Sequence, residues 1–268
     1  MGVFDVFSYD YLMGVVDYLG IAGSMFSNFK NDIYALNLPL EDKDIINEKF
    51  LLEQDQQKKV EIYYTPFDFI NERAKVVIVG ITPGLHQMKK AFTTVLECKD
   101  RGLREEEILH EVKMRASFEG TMRKNLVAML DELGLAEHLG IPSTFELFGS
   151  ASHLVYNTSL LPYAVFYDHK NFNGSRPDII KTQLLWRYVV TYFVNDIKRL
   201  QNPLIIPLGV KITKVLEYLL DQHLIDNKNI LNGFPHPSGG NGHRHRQFRE
   251  NKQAMKRHLD DYFKRLLS

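Results

Sequence analysis

Residues 75–85, KVVIVGITPGL, decide the fold of this chain. Residues 76–79 are four consecutive β-branched apolar side chains, a run typical of a strand buried on both faces in a parallel sheet. The run stops at Gly80, and Pro83 and Gly84 then require a tight, irregular loop. Such a loop presents backbone N–H groups at the carboxyl edge of the sheet, which is where open α/β folds bind their ligands.

Three further apolar runs predict strands, and helical patterns separate them. The runs are HLVYN at 153–157, LIIPL at 204–208 and NILNGF at 229–234. The helical patterns cover residues 87–96 (a helix or a lid), 105–115, 121–133, 182–200, 210–220 and 246–267. Strands that alternate with helices predict an α/β fold, here a three-layer α/β/α sandwich around a central, mainly parallel four-stranded sheet.

The chain length of 268 residues favours a single domain overall. Apolar residues recur at helical spacing at 11–19 and again at 45–51. We therefore interpret residues 1–60 as a helical N-terminal extension packed on the core, and residues 61–268 as the α/β/α domain. Residues 164–177 show no regular pattern and are interpreted as an irregular connection.

The composition excludes several classes of protein. Cys98 is the only cysteine, so disulfides, thiolate zinc sites and cysteine-held iron–sulfur clusters within one chain are excluded. A single cysteine also indicates a reducing, intracellular location, which would be cytoplasmic in a bacterium and nuclear in a eukaryote. The first seven residues lack the basic region of a signal peptide, and no apolar run approaches 18 residues, so no membrane span is expected.

The overall charge identifies no partner, because Lys plus Arg and Asp plus Glu each number 33. The charges are unevenly spread, however, and residues 228–268 hold 9 basic and 3 acidic side chains. A basic end on a neutral chain is compatible with docking of a phosphate-bearing ligand. Taken alone, this segment is explained equally well as a solvated helix face.

Distinctive residues follow three of the predicted strands. They are the Gly/Pro loop at 80–85, Asn157, and the segment 236–238 within PHPSGG at 235–240. Because the carboxyl ends of parallel strands share one edge of the sheet, residues that are distant in sequence can meet there in one cleft.

In order and spacing, these segments resemble the motifs of the uracil-DNA glycosylase superfamily. GITPGL at 80–85 is similar to its first motif, and PHPSGG at 235–240 is similar to its last, His-Pro-Ser. Asn157, with Leu161 and Pro162 after it, resembles the middle motif of the single-strand-selective monofunctional branch. The resemblance spans residues 76–267 and is closest in motif to the single-strand-selective monofunctional and mismatch-specific branches.

The resemblance implies a DNA glycosylase, which hydrolyses the N-glycosidic bond of uracil or a related damaged base during base-excision repair. It implies DNA as the partner, with single strands as one option, and a monomer that needs no cofactor and no metal. A glycosylase turns its target nucleotide out of the stack and reads the base in a pocket. His236, His243 and His245 do not suggest a metal site, because they lie on a Gly-rich loop without a carboxylate.

The resemblance also assigns three catalytic roles. Asn157 pairs with uracil O4 and N3–H, since an amide side chain carries both a donor and an acceptor. His236 donates to uracil O2 and stabilises the leaving anion. Thr82 occupies the water-activating position, where many relatives have Asp or Asn; a hydroxyl can orient a water but is a poor base at neutral pH.

Further positions are assigned to substrate and DNA binding. The backbone of the first motif binds the base or an adjacent phosphate, through Gly80, Ile81, Pro83, Gly84 and Leu85. DNA phosphate is assigned to Ser238, Gly239, Gly240, Asn241, His243 and Arg244. Many relatives insert an apolar wedge after His-Pro-Ser, and here two glycines follow. In a duplex, Asn241, His243 or Arg244 is expected to fill the gap that the flipped base leaves in the stack. Otherwise the protein is expected to prefer single strands. Leu85 or His86 occupies the region where relatives stack on the base or exclude the methyl group of thymine.

Two other functions stay open at this point. The first is a catalytically weak or inactive protein that kept the fold and binds nucleic acid or nucleotides, and Thr82 is the residue that separates it from an enzyme. The second is a hydrolase that acts on small molecules in the same cleft.

Overall fold

The computed structural model of the protein describes residues 25–267. Its strands are β1 (Leu51–Asp55), β2 (Val60–Tyr63), β3 (Val76–Gly80), β4 (Val155–Ser159), β5 (Ala164–Tyr167), β6 (Lys170–Asn171) and β7 (Leu204–Pro207). Its α-helices are α1 (Phe26–Tyr34), α2 (Asp42–Ile45), α3 (Leu85–Cys98), α4 (Glu105–Ala116), α5 (Thr121–Glu132), α6 (Leu135–Leu139), α7 (Gln183–Tyr188), α8 (Asn195–Lys198), α9 (Val210–Asp221) and α10 (Arg244–Leu267). A π-helical segment, Val189–Val194, joins α7 to α8, and two 3-10 turns, Thr144–Phe148 and Ser152–Leu154, precede β4.

A three-stranded parallel sheet, in the order β4-β3-β7, occupies the centre of the molecule. In its middle strand, β3, all five residues are buried, as the β-branched run predicts. Val76 pairs with Val155 on one side and with Leu204 on the other, so the three strands begin at the same level. Their carboxyl ends therefore deliver the loops at 80–84, 160–163 and 208–209 to one edge.

The prediction of a four-stranded parallel sheet is wrong. The fourth predicted strand, at 229–234, contributes a single parallel bridge between Ile230 and Ile205. On either side of that bridge the chain bonds to itself. The Ile230 N–H donates to the Lys228 carbonyl (2.9 Å), and the Asn232 N–H donates to the Ile230 carbonyl (3.0 Å). The bridge itself is made by the Ile205 N–H to the Asn229 carbonyl and by the Leu231 N–H to the Ile205 carbonyl (2.8 Å each). The next bond of the ladder would need an N–H from Pro207, which has none, so the segment lies beside β7 without becoming a strand.

A separate antiparallel sheet, in the order β1-β2-β5-β6, was not predicted. The prediction of a helix at 45–51 is wrong: α2 ends at Ile45, Leu51 begins β1, and the polar residues that follow form a hairpin between β1 and β2. The supposedly irregular segment at 164–177 begins with β5, which pairs along β2 from Tyr63↔Ala164 onward. Local periodicity misses this sheet because the partner of β2 lies about 100 residues away in the chain.

The described part of the N-terminal segment packs on the core. Phe26 and Ile33 of α1, Ile45 of α2, and Phe50 are all fully buried within the main hydrophobic cluster. The predicted helix at 11–19 lies outside the described residues. The division of the chain into an extension and a domain stays a prediction, and its boundary at residue 60 lies within the β1–β2 hairpin.

The remaining predicted helices are present, with ends that differ by a few residues. The segment interpreted as a helix or a lid is the regular helix α3, which begins directly after the Gly/Pro loop. The predicted helix at 182–200 is built from α7, the π-helical segment and α8 in succession. Within residues 25–267, no helix combines the length and apolar character needed to cross a membrane.

Candidate active site

A cleft of about 650 Å³ opens where the first-motif loop, the loop after β7 and the segment 236–241 come together. This volume lies in the range typical of small-ligand sites. Eight of the residues assigned from sequence line the cleft: Gly80, Ile81, Thr82, Gly84, His236, Ser238, Gly240 and Asn241. The others do not line it: Pro83, Leu85, Asn157, Gly239, His243 and Arg244.

The hydroxyl of Thr82 is engaged in two hydrogen bonds within the protein. It donates to the Tyr163 carbonyl (2.7 Å) and accepts from the Val165 N–H (3.0 Å), which links the first-motif loop to the start of β5. Since a hydroxyl has one proton and two lone pairs, a single lone pair remains for a water molecule. The catalytic role of Thr82 stays a prediction, and its hydrogen bonds support a role in positioning the loop.

His236 is held as a hydrogen-bond donor toward the cleft. Its Nδ1 accepts a hydrogen bond from the Ser238 N–H (3.3 Å), so a neutral imidazole carries its proton on Nε2. Burial lowers the pKa of His236 below its usual value, and the positive charge of Lys211 lowers it further. Both effects keep the ring neutral near pH 7, with an Nε2–H available to a ligand.

The loop that carries His236 is braced by side chains from two helices and from the loop itself. Each donates to a loop carbonyl: Asn125 to Pro237 (2.8 Å), Asn241 to His236 (3.1 Å) and Arg244 to Ser238 (2.9 Å). Asn241 and Arg244, which the sequence assigned to DNA binding, therefore have a structural role in holding this loop. Any contact that they make to DNA stays a prediction.

Gly209 brings the loop after β7 against His236. Its φ of +106° lies in a region that favours glycine, and a Cβ there would lie 3.1 Å from the Cβ of His236. A larger residue would therefore displace either the histidine or the loop. The close approach places Leu208, Val210 and Lys211 along the same cleft.

The loop after His236 exposes two glycines. Within the described chain, the amides of Gly239 and Gly240 donate no hydrogen bond. The amide of Leu85, by contrast, donates to Asn171 Oδ1 (2.8 Å) and is unavailable to a ligand in this arrangement. His243 is exposed on the surface near the start of α10. The roles of these residues in binding stay predictions.

Asn157 lies in a smaller pocket beside the cleft. The pocket has a volume of about 20 Å³, enough for one water molecule, and shares Gln87 and Phe118 with the cleft. Asn157 is 6% exposed, and its Oδ1 has no hydrogen-bond partner among the described residues. An unpaired buried acceptor lowers the stability of the fold by about 1–3 kcal/mol. A ligand that supplied the missing donor would remove this cost.

Phe118 separates the pocket from the cleft, and sequence reasoning did not identify it. It is 5% exposed, and its φ of +53° is uncommon for a bulky residue. Its ring packs over Gly80, where an added Cβ would lie 3.1 Å from Cε1. The sequence gives little indication of this role: Phe118 lies in the break between two predicted helices, two residues before Gly120.

Lys113 is fully buried beneath Asn157 and was also missed. Its Nζ donates to the Asn157 carbonyl (2.9 Å) and lies 5.2 Å from the ring centre of Phe67 and 5.1 Å from that of Tyr156. Burial lowers the pKa of Lys113 to about 8, although the charges of nearby carboxylates oppose the shift. The sequence of α4 is rich in charged residues, yet Lys113 follows Leu109 by four residues and shares its buried face.

Within the described part of the chain, no three His, Cys, Asp or Glu side chains lie close enough together to hold a metal ion. The polar inventory of the cleft consists of hydroxyls, amides, two imidazoles, one lysine and one carboxylate, Glu119. Such a set can donate hydrogen bonds to an anion and can bind a water molecule.

Two comparisons with known proteins gave a match. The family model described as the uracil DNA glycosylase superfamily matches residues 67–263. A curated relative, the "Uncharacterized protein YoxB" of Bacillus subtilis (strain 168), is 39% identical over 241 residues, which cover 89% of this chain and 93% of the relative. No solved structure matches the chain.

Proposed function

The chain belongs to the uracil DNA glycosylase superfamily, and on that premise we propose that it removes uracil, or a related damaged base, from DNA by hydrolysis. The superfamily is made up of DNA glycosylases, which are hydrolases. The observation that carries the proposal is the state of His236, a neutral imidazole whose Nε2–H is available in a cleft of suitable size.

Cleavage of an N-glycosidic bond leaves negative charge on the base and positive charge on the sugar. A hydrogen bond from His236 Nε2–H to a carbonyl oxygen of the base stabilises the leaving anion. Donors that are already in place for such a charge contribute roughly 3–4 kcal/mol to lowering the barrier. The braced loop matters here, because a donor that must reorganise during the reaction contributes less.

Asn157 is the proposed reader of the base. No group in the described part of the chain donates a hydrogen bond to its Oδ1, and N3–H of uracil would supply one. The pocket in front of Asn157 is too small for a pyrimidine as it stands, so the base enters only when the ring of Phe118 moves aside. Once displaced, the same ring offers a flat apolar surface on which the base can stack.

DNA phosphate is proposed to dock on the segment 238–240 and the start of α10. The exposed amides of Gly239 and Gly240 can donate to phosphate oxygens, and Arg246 and Arg249 are exposed on the first turns of that helix. Such contacts position the strand without reading its sequence. They also predict that binding weakens as salt is raised.

The test is release of uracil from oligonucleotides that carry a single deoxyuridine, in single strands and in duplexes, followed by alkaline cleavage of the abasic site. We expect strand breaks at the uracil and none in a matched oligonucleotide that carries thymine. The same assay with His236→Ala should show at least a tenfold lower rate, while His153→Ala, which changes an exposed histidine that does not line the cleft, should keep the wild-type rate. An absence of strand breaks at high enzyme excess would refute the proposal.

A second candidate is a protein that binds nucleic acid without cleaving it. The observation that favours it is the hydroxyl of Thr82, which is occupied by Tyr163 and Val165 at the position where many relatives activate water. This candidate predicts salt-sensitive binding of oligonucleotides without release of any base. The assay above separates the two functions.

A further inference from the structure

The cleft contains a carboxylate that the motifs do not assign. Among the described residues that line the cleft, Glu119 is the one acidic side chain. It lies in the break between α4 and α5, directly after Phe118. Its side chain is 32% exposed, so it is reachable by water and by a ligand without being fully solvated.

A histidine orients this carboxylate. His86, in the first turn of α3, contacts Glu119 Oε2 through Nε2. Glu119 Oε1 has no hydrogen bond within the described chain, so it remains available to a water molecule. The pair joins the helix that follows the first motif to the segment that carries Phe118, and both residues line the cleft that contains His236.

Hydrolysis requires a group that this site otherwise lacks. An attacking water must lose a proton, and the positive charge that develops on the sugar must be stabilised. Thr82 is poorly suited to either task, because its hydroxyl proton is given to the Tyr163 carbonyl. A carboxylate performs both tasks, and Glu119 is the carboxylate present.

We propose that Glu119 is the catalytic carboxylate of this cleft and that His86 is its positioning residue. This inference rests on the proposed base excision. In the step, the C1′–N bond breaks and its electron pair leaves with the base, which His236 stabilises as an anion. A water oxygen bonds to C1′ and gives one proton to Glu119 Oε1. The base anion takes up a proton from solvent, so the products are the free base and an abasic sugar with a C1′ hydroxyl.

Other charged or ionisable groups lie near Glu119. His86 contacts it, and Arg123 of α5 interacts with it electrostatically. Lys211 and His236 line the same cleft from other segments.

The test compares single-turnover excision of uracil by the wild-type chain and by Glu119→Gln, Glu119→Asp and the control Glu217→Gln. Glu217 is an exposed glutamate of α9 that does not line the cleft, so its variant makes the same charge change elsewhere. We expect Glu119→Gln to lower the rate about 100-fold. Glu119→Asp should retain more activity than Glu119→Gln, and Glu217→Gln should match the wild type.

Binding of the same oligonucleotide, followed by fluorescence anisotropy, separates catalysis from docking. We expect the dissociation constant of Glu119→Gln to stay within threefold of wild type, and we expect His86→Ala to add no further loss of rate in the Glu119→Gln background. A rate loss below tenfold in Glu119→Gln, or an equal loss of binding, would overturn this inference alone. No release of base by the wild-type chain would overturn the proposed function and this inference with it.

Discussion

Asn157 lies in the middle of a buried strand, and its side-chain oxygen has no hydrogen-bond partner within residues 25–267. Asn227 provides the contrast: it is equally buried, but its Nδ2 donates to the Pro203 carbonyl (2.7 Å) and its Oδ1 accepts from the Asn229 N–H (2.9 Å). A buried polar group that is fully hydrogen-bonded contributes to stability, whereas an unpaired one lowers the stability until a ligand supplies its missing hydrogen bond. The two asparagines should therefore respond oppositely to truncation.

The first prediction compares Asn157→Ala with Asn227→Ala. Asn157→Ala should lower the excision rate at least tenfold with little loss of unfolding free energy, because it removes an unpaired acceptor. Asn227→Ala should cost about 1–3 kcal/mol of stability while the folded protein keeps its rate. Urea unfolding and single-turnover excision measure the two quantities. Equal loss of stability in both variants, with wild-type activity in Asn157→Ala, would contradict the assignment of Asn157.

The second prediction concerns the protonation of His236. Burial and Lys211 lower its pKa, so the ring should titrate below 6.5, the usual value for histidine, and should be the Nε2–H tautomer at pH 7. Long-range proton–nitrogen correlation spectra of labelled protein report the tautomer and the pKa. The signals are assigned by their absence from His236→Ala. An Nδ1–H tautomer, or a pKa above 6.5, would remove the pre-set donor on which the proposed function depends.

At the scale of elements, two sheets meet at the first-motif loop. The loop leaves the parallel sheet at Gly80. The Thr82 hydroxyl then hydrogen-bonds to the Tyr163 carbonyl and the Val165 N–H, which flank Ala164, the first residue of β5 in the antiparallel sheet. These hydrogen bonds hold the loop between the two sheets, so the loop forms a rigid wall of the cleft beside it. Phe118 packs on Gly80 at the same junction, so the position of this ring depends on the loop as well.

The third prediction tests the structural role of Thr82. Thr82→Val keeps the shape of the side chain but loses both hydrogen bonds, and it leaves the Val165 N–H without its partner. We expect a loss of about 1–3 kcal/mol in unfolding free energy, whereas Thr82→Ser should stay close to wild type. Urea unfolding measures the difference. Wild-type stability in Thr82→Val would show that these bonds do not hold the loop, and the catalytic role of Thr82 would regain weight.

At the scale of the whole molecule, a buried charge cluster lies beneath the site. Lys113 of α4 is attracted by Asp196 of α8 and Asp68, which come from distant parts of the chain. Burial raises the pKa of Asp196 to about 6, and the Tyr156 hydroxyl donates to it (2.6 Å). The cluster joins both helices to β4, so it positions the strand that carries Asn157. A buried cluster of this kind adds little net stability, because the cost of desolvating its charges offsets their attraction.

The fourth prediction follows from the pKa of Lys113, about 8 in the folded protein and 10.5 in the unfolded chain. Between these values the unfolded chain binds more protons, so stability should rise as the pH increases from about 8. We expect a gain of about 1–2 kcal/mol between pH 7.5 and 9.5 relative to Lys113→Met, which lacks the titrating group. Urea unfolding of both proteins at each pH measures it. Parallel pH profiles of the two proteins would show that folding does not lower the pKa of Lys113.

How much of the site was predictable differs between its parts. Gly80, Asn157 and His236 stand at the ends of apolar runs, where a short motif in the right order is visible in the sequence. Glu119 and Phe118 lie in an unremarkable break between two helices, and no spacing distinguishes them. Their importance depends on which segments fold against the first-motif loop, and that is a property of three-dimensional packing.

By itself, the sequence determined the buried strand β3, most of the helices, the family and the two motif loops at 80–85 and 235–240, whereas Asn157 lies within β4. These features depend on short-range patterns, since β-branched runs, amphipathic spacing and Gly/Pro breaks act within a few residues. Tertiary structure alone decided the second, antiparallel sheet, the reduction of the fourth parallel strand to one bridge, the separation of Asn157 from the main cleft, and the pairing of His86 with Glu119. Each of these depends on contacts between segments far apart in the chain, and the free energy of such contacts is not encoded in any local pattern.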